Sequence, residues 1–194
     1  MVSNLPGWAA FTPTYDEYLA RARSGDVVVE VGVCYGKSVA YLAAGALARG
    51  INITIYAVDP WGAWEDADHG GTLWPWPELM AESGGGPFGT FCDQMLKHAR
   101  KELEAIHVLR LRSAQAARIF DDATLAMVML DGSHAYADVC EDIRVWRSKV
   151  APWGLLAGDD YAPDFAGVVR AVKETFGDDG FDVSGTTWKA RRVR

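Results

Sequence analysis

The sequence predicts an α/β fold: a mostly parallel sheet with helices on both faces. Three observations predict it. Short apolar, β-branched runs alternate with longer segments of helical composition, the pattern of strands joined by crossover helices. A glycine turn, Glu30-Val31-Gly32-Val33-Cys34-Tyr35-Gly36, follows the first run. Acids follow three later runs, at Asp59, Asp131 and Asp159-Asp160. In open α/β sheets ligands collect outside the carboxyl ends of the strands, where these acids fall.

Taken in order, Tyr15 to Arg23 reads as a short helix, and Val27 to Val31 as a strand covered on both faces. Lys37 to Arg49 is alanine- and leucine-rich and helical, with Gly50 as its stop. Ile51 to Val58 is a second strand, ending at Asp59-Pro60. From 61 to 89 periodicity is lost, and glycines, prolines and Trp61, Trp64, Trp74 and Trp76 mark an insertion or lid. Those tryptophans either wall an acceptor pocket or pack the loop onto the domain.

Phe91 to Leu103 is expected as a helix, Ile106 to Leu111 as a strand and Ala114 to Phe120 as a short helix. Leu125 to Leu130 is the next strand. Tyr136 to Val150 follows as a helix whose Val139, Ile143, Trp146 and Val150 form one apolar stripe. Leu155 to Ala157, a helix from Phe165 to Phe176 and two terminal strands complete the pattern.

One domain spanning 1–194 is expected, since 194 residues can bury a sizeable core. A net charge of −7 argues against a general nucleic-acid or membrane-surface binder. The basic run from Lys189 to Arg194 reads as a charged edge strand. Cys34, Cys92 and Cys140 are odd in number and lack zinc spacing, which suits a reducing, cytoplasmic setting. No apolar run reaches membrane-spanning length, and nothing near the N-terminus reads as a signal peptide. A small-molecule acceptor is the expected partner; monomer or homo-oligomer stays open.

The glycine turn lacks the GxGxxG spacing of a pyrophosphate cradle. With Glu30 at the strand end, it could instead accept a cationic group such as the ammonium of S-adenosylmethionine. Asp59, ending the second strand, is placed to accept hydrogen bonds from ribose hydroxyls. Asp131, Asp159 and Asp160 repel one another unless a cation or proton neutralises them, and oxygen-only ligands favour Mg²⁺, Mn²⁺ or Ca²⁺. His134 stands three residues after Asp131 across a glycine-containing turn.

Glu30-x-Gly32-x-x-x-Gly36-x-Ser38, Asp59-Pro60-Trp61, Leu130-Asp131-Gly132-Ser133-His134-x-Tyr136 and Gly158-Asp159-Asp160-Tyr161 resemble class I S-adenosylmethionine-dependent methyltransferases. The nearest similarity is to the metal-dependent O-methyltransferases typified by macrocin and mycinamicin sugar methyltransferases. Catechol O-methyltransferase is a more distant relative. The resemblance spans roughly Val27 to Val183. It implies a Rossmann-like, seven-stranded sheet with one reversed strand, cofactor over the first two strand ends, and Mg²⁺ beside the transferred methyl. By position it makes Asp131, Asp159 and Asp160 metal ligands and His134 the catalytic base. It places Glu30, Gly32, Gly36, Ser38 and Asp59 around the cofactor, with Ser113 lining the adenine; Trp61, from its place after Asp59-Pro60, is expected to pack on the adenine. The tryptophan-rich stretch departs from the family pattern and leaves the acceptor open.

These residues suit methyl transfer to oxygen. The displacement at a sulfonium is in line, so the enzyme must align a hydroxyl and remove its proton. A divalent cation lowers the hydroxyl's pKa, and a histidine can take the proton near neutrality. The expected activity is Mg²⁺-dependent O-methylation of a sugar diol, a catechol or a related natural product. Alternatives are nitrogen or carbon methylation on the same fold, or a cofactor-binding module without catalysis. His69, His98 and His107 show no partner spacing and carry no site.

Overall fold

Val27–Val31 (β1) lies between two parallel neighbours, as a run of valines buried on both faces requires. The computed structural model describes residues 2–62, 65–66, 72–73 and 86–192, the two short pairs as backbone only. Thr12–Leu19 (α1), with Pro13 in its first turn, precedes β1. Lys37–Ala48 (α2), Thr54–Val58 (β2), Glu65–Asp66 (β3) and Thr72–Leu73 (β4) follow. Next come Gly86–His98 (α3), Ile106–Leu109 (β5), Ser113–Ala117 (α4), Leu125–Leu130 (β6) and Tyr136–Arg147 (α5). Val150–Gly158 (β7), Ala166–Phe176 (α6), Phe181–Ser184 (β8) and Thr187–Ala190 (β9) complete the chain.

The sheet has seven strands in the order β5-β2-β1-β6-β7-β9-β8, with β9 antiparallel to both neighbours. β3 and β4 form a separate antiparallel pair. Strand alternation divides the core into two layers. Val28, Ile55, Ala57, Met127 and Met129 pack toward α1, α2 and α3. Val29, Val31, Val58, Val128 and Leu130 pack toward α4, α5 and α6, with Ile143, Trp146 and Val172.

Register sets the site. Val31 pairs with Val58 on one side and Leu130 on the other, and Leu130 pairs with Gly158. Four strands therefore end level, and the next residues, Gly32, Asp59, Asp131 and Asp159, form one row along the carboxyl edge. Backbone pairing runs into that row: Gly32 N–H donates to Val58 O (2.9 Å), Asp131 N–H to Val31 O (2.8 Å) and Asp159 N–H to Leu130 O (3.0 Å). The chain order reverses direction across the sheet between β1 and β6, the switch point at which such folds bind ligands.

Several expected boundaries shift, each for a local reason. The second strand begins at Thr54, because Gly50 turns at φ +66° and the chain needs the next residues to reach the sheet. α3 starts at Gly86, inside the stretch 61–89 expected to lack periodicity, and ends at His98, and Leu103 belongs to a 3-10 turn over Glu102–Ala105. The helix expected to reach Val150 stops at Arg147, because Val150 already pairs with Leu125. β7 is long since it contains a bulge between that pair and Met127↔Leu155, which accommodates Pro152 in a central strand. The basic run is not an edge strand: β9 is interior, Lys189 bonds Glu17 and Arg191 bonds Asp182. Trp64, Trp74, Trp76 and His69 lie outside the described residues. No helix among the described residues is long and apolar enough to cross a membrane.

Candidate active site

The turn after β1 is held from inside the protein. Gly32, Cys34 and Gly36 all have left-handed backbone, at φ +84°, +51° and +88°. At Gly32 a Cβ would stand 1.8 Å from Asp131 O, so only glycine lets β1 and β6 close at their ends. At Gly36 it would meet Met95 Sδ at 2.6 Å, so this glycine serves the packing of α3 on α2.

The N–H groups of Val33 and Cys34 both donate to Asp59 Oδ2 at 3.0 Å, and Trp61 N–H donates to Oδ1 at 2.6 Å. Burial raises the Asp59 carboxyl, while these three bonds pull it back down. Of about four acceptor positions on a carboxylate, three face the protein. Asp59 thus braces the turn, with roughly one position left for a ribose hydroxyl.

Glu30 follows the same logic on the opposite side of β1. It shares a face with Val28 and so points into the α1 and α2 layer, with no exposed surface. Ser38 Oγ donates to Oε1 at 2.5 Å and Tyr15 OH donates to Oε2. Burial pushes the carboxyl up to about 7 against the pull of those hydroxyls. Glu30 is thus held by an internal brace of which Ser38 is part.

Trp61 is held inside the protein. It is 2% exposed, donates Nε1–H to Cys34 O at 2.8 Å and packs on Phe91 and Phe88 at 4.8 and 5.2 Å between ring centres. Ser113 begins α4, accepts from Trp146 Nε1–H at 2.8 Å and hydrogen-bonds Asp142, so it ties α4 to α5. Burial raises Asp142 to about 7.

The acids behave differently. Asp131, Asp159, Asp160 and His134 line a cleft of about 20 Å³ at the ends of β6 and β7. That is room for a single water-sized occupant. Burial, then the charges of Asp160 and Asp159, hold the Asp131 carboxyl well above the usual range. Asp159 Oδ1 accepts from Thr186 and Thr187 hydroxyls at 2.7 and 3.2 Å. Asp160 adopts φ +59°, an uncommon conformation for a residue with a Cβ, and its Oδ2 lies 2.9 Å from His134 Nε2. His134 is 6% exposed, its ring 4.5 Å from that of Phe165. The structure thus brings all four expected residues to one cleft, and sets Asp160 against the imidazole.

A methyltransferase-domain family matches residues 29–161, spanning the turn, both acidic strand ends and His134. The chain belongs to this family. It is an S-adenosylmethionine-dependent methyltransferase of the class I fold. Among curated proteins, none matches the chain. Among solved structures it is similar to the calicheamicin methyltransferase CalS11, at 14% identity and TM-score 0.63 over 93% of this chain and 76% of that one. It also resembles the O-methyltransferase NovP, at 17% identity and TM-score 0.59 over 93% and 76%. Cofactor-bound Rv0187 from MTB aligns at 12% identity and TM-score 0.58 over 97% and 84%.

In this methyltransferase several residues around the site carry no local sequence signal. Tyr15 reaches Glu30 from a helix before the motif, and Thr186 and Thr187 reach Asp159 from the last hairpin. Asp142 was legible in principle: it lies one residue before Ile143 on the apolar stripe of α5, where an acid faces inward.

Proposed function

We propose that this methyltransferase methylates a hydroxyl of a small acceptor with neighbouring oxygens, such as a sugar diol or a catechol, in the cytoplasm. The observation that carries the reading is the His134–Asp160 pair at 2.9 Å, set beside Asp131 and Asp159 at the switch point. Two similar structures are described as an O-methyltransferase and a TDP-rhamnose 3'-O-methyltransferase, which supports oxygen, and a sugar, as acceptor.

In this proposal Asp131, Asp159 and Asp160 hold a divalent cation, Mg²⁺ with Mn²⁺ or Ca²⁺ as alternatives. The donor set fits in kind: hard carboxylate oxygens, with Asp131 raised by its neighbours' charges, gain from a nearby positive charge. Among the described residues no group of three or more His, Cys, Asp or Glu is placed to hold an ion as it stands. When bound, the cation would lower the pKa of an acceptor hydroxyl and fix its position.

The chain's own residues do the rest. His134 takes the hydroxyl proton as the oxygen attacks the methyl group in line with the departing sulfur. Asp160 orients the imidazole and stabilises it once protonated. Phe165 packs against the ring and limits its rotation. A second reading keeps this pair and omits the cation, favoured by the existing contact between Asp160 and His134.

Incubation with S-adenosylmethionine and a panel of nucleotide sugars, free diols and catechols, with and without EDTA, tests both. Methylation of oxygen that stops in EDTA supports the first reading, and full activity in EDTA supports the second. Methylation only of nitrogen or carbon acceptors would reject both.

A further inference from the structure

We infer that Thr186 and Thr187, at the turn of the last hairpin, are positioning residues that aim the Asp159 carboxylate for cation binding. This rests on the cation reading above. Thr186 Oγ1 donates to Asp159 Oδ1 at 2.7 Å, and Thr187 Oγ1 donates to the same oxygen at 3.2 Å. Both act on one carboxylate oxygen and so fix its rotation, and the Asp160 backbone N–H also hydrogen-bonds the carboxylate.

The choice of donor is chemically specific. Hydroxyl donors suit an ionised carboxylate, and both threonines present theirs to Oδ1. They do so without adding positive charge. A lysine or arginine there would also hold the carboxylate, but would compete with a bound cation. Ligating carboxylates are commonly oriented by such neutral outer bonds.

The hairpin is built to deliver these hydroxyls. Ser184 pairs with Thr187, leaving a two-residue turn with Gly185 at φ +63° in its first central place. Thr186 O accepts from Tyr161 N–H at 2.7 Å, so one residue grips the chain on both sides of Asp160. Trp188 pairs with Gly158, and its indole lies 2.6 Å from where a Cβ on Gly158 would stand. The glycine before Asp159 therefore lets β9 lie close enough for the threonines to reach it.

A merely structural role, satisfying a buried acid, predicts changes in stability alone. The test is Mn²⁺ binding, counted by electron paramagnetic resonance, to wild type, Thr186→Val, Thr186→Ser, Thr187→Val and Asp159→Ala. Melting temperature and S-adenosylhomocysteine affinity are measured in parallel. Thr186→Val should weaken Mn²⁺ binding by about tenfold or more, while Thr186→Ser restores it to within about twofold. Cofactor affinity should stay unchanged in each. Equal Mn²⁺ affinity in wild type and Thr186→Val, with Asp159→Ala impaired, overturns this inference and leaves the cation reading intact. Absence of Mn²⁺ binding by the wild type overturns both.

Discussion

The turn after β1 and the cleft after β6 and β7 lie on one row of strand ends, yet they are finished in opposite ways. At the turn every named acid already has donors from the protein: Asp59 holds three backbone N–H groups, and Glu30 holds two hydroxyls. At the cleft Asp159 also holds two hydroxyls, but Asp131 is raised by burial and then by the charges of Asp160 and Asp159. The first region is a closed scaffold whose acids are held from inside the protein. The second keeps its repulsion, which a proton or cation relieves. Carboxylates near one another in sequence motifs thus stand in two kinds of surroundings, told apart by the charges beside them.

The largest effect should come from joining the two regions badly. Gly32→Ala sets a Cβ 1.8 Å from Asp131 O at φ +84°. Left-handed strain and overpacking together should cost about 4 kcal/mol. Urea unfolding measures this, and a loss below 1 kcal/mol would mean that the strand ends need not meet so closely.

His134→Ala probes the cleft alone. Turnover at saturating acceptor should fall by about a hundredfold or more, with S-adenosylhomocysteine affinity unchanged because the turn is untouched. If the loss appears only in KM, the imidazole orients the acceptor without taking its proton.

A smaller effect concerns pH. Burial raises Glu30 to about 7 in the folded protein, above its unfolded value. Between the two values the folded state binds more protons, so this group's contribution to stability falls as pH rises from about 4.5 to 7. Glu30→Gln should flatten that part of the curve by on the order of 2 kcal/mol. Asp142→Asn should act in the same direction from the other layer, since its carboxyl is also raised to about 7. Unfolding free energies measured in urea across that pH range check both, and an unchanged slope in Glu30→Gln would show that Glu30 titrates normally.

The smallest expected change is in Trp61→Phe. It removes the bond to Cys34 O and should cost about 1 kcal/mol, leaving cofactor affinity as it was. A cofactor affinity that falls while stability holds would support the adenine role.

Much of the sheet was legible because buried parallel strands are short and wholly apolar. Leu125–Leu130 is such a run and matches its strand end for end. The acids were legible because they follow these strands directly. What the sequence hid was direction: strand alternation turns Glu30 inward with Val28, and the φ +44° turn at Trp61 folds its indole under α3. Local periodicity also says nothing of a hydroxyl brought to Asp159 from residues 27 and 28 positions away. Boundaries were blurred where polar and small residues lie between elements, as at Gly50 and around Pro152.

The level ends of β1, β2, β6 and β7 have a consequence for redesign of this enzyme. Because Asp59, Asp131 and Asp159 each hang one residue beyond a paired strand, their spacing is inherited from the ladder and not from the loops that follow. Lengthening those loops to admit a larger acceptor should leave the acids where they are. Deleting one residue within Leu125–Leu130 should instead carry Asp131 off the row and exchange the faces of Met127 and Val128, ruining both layers together.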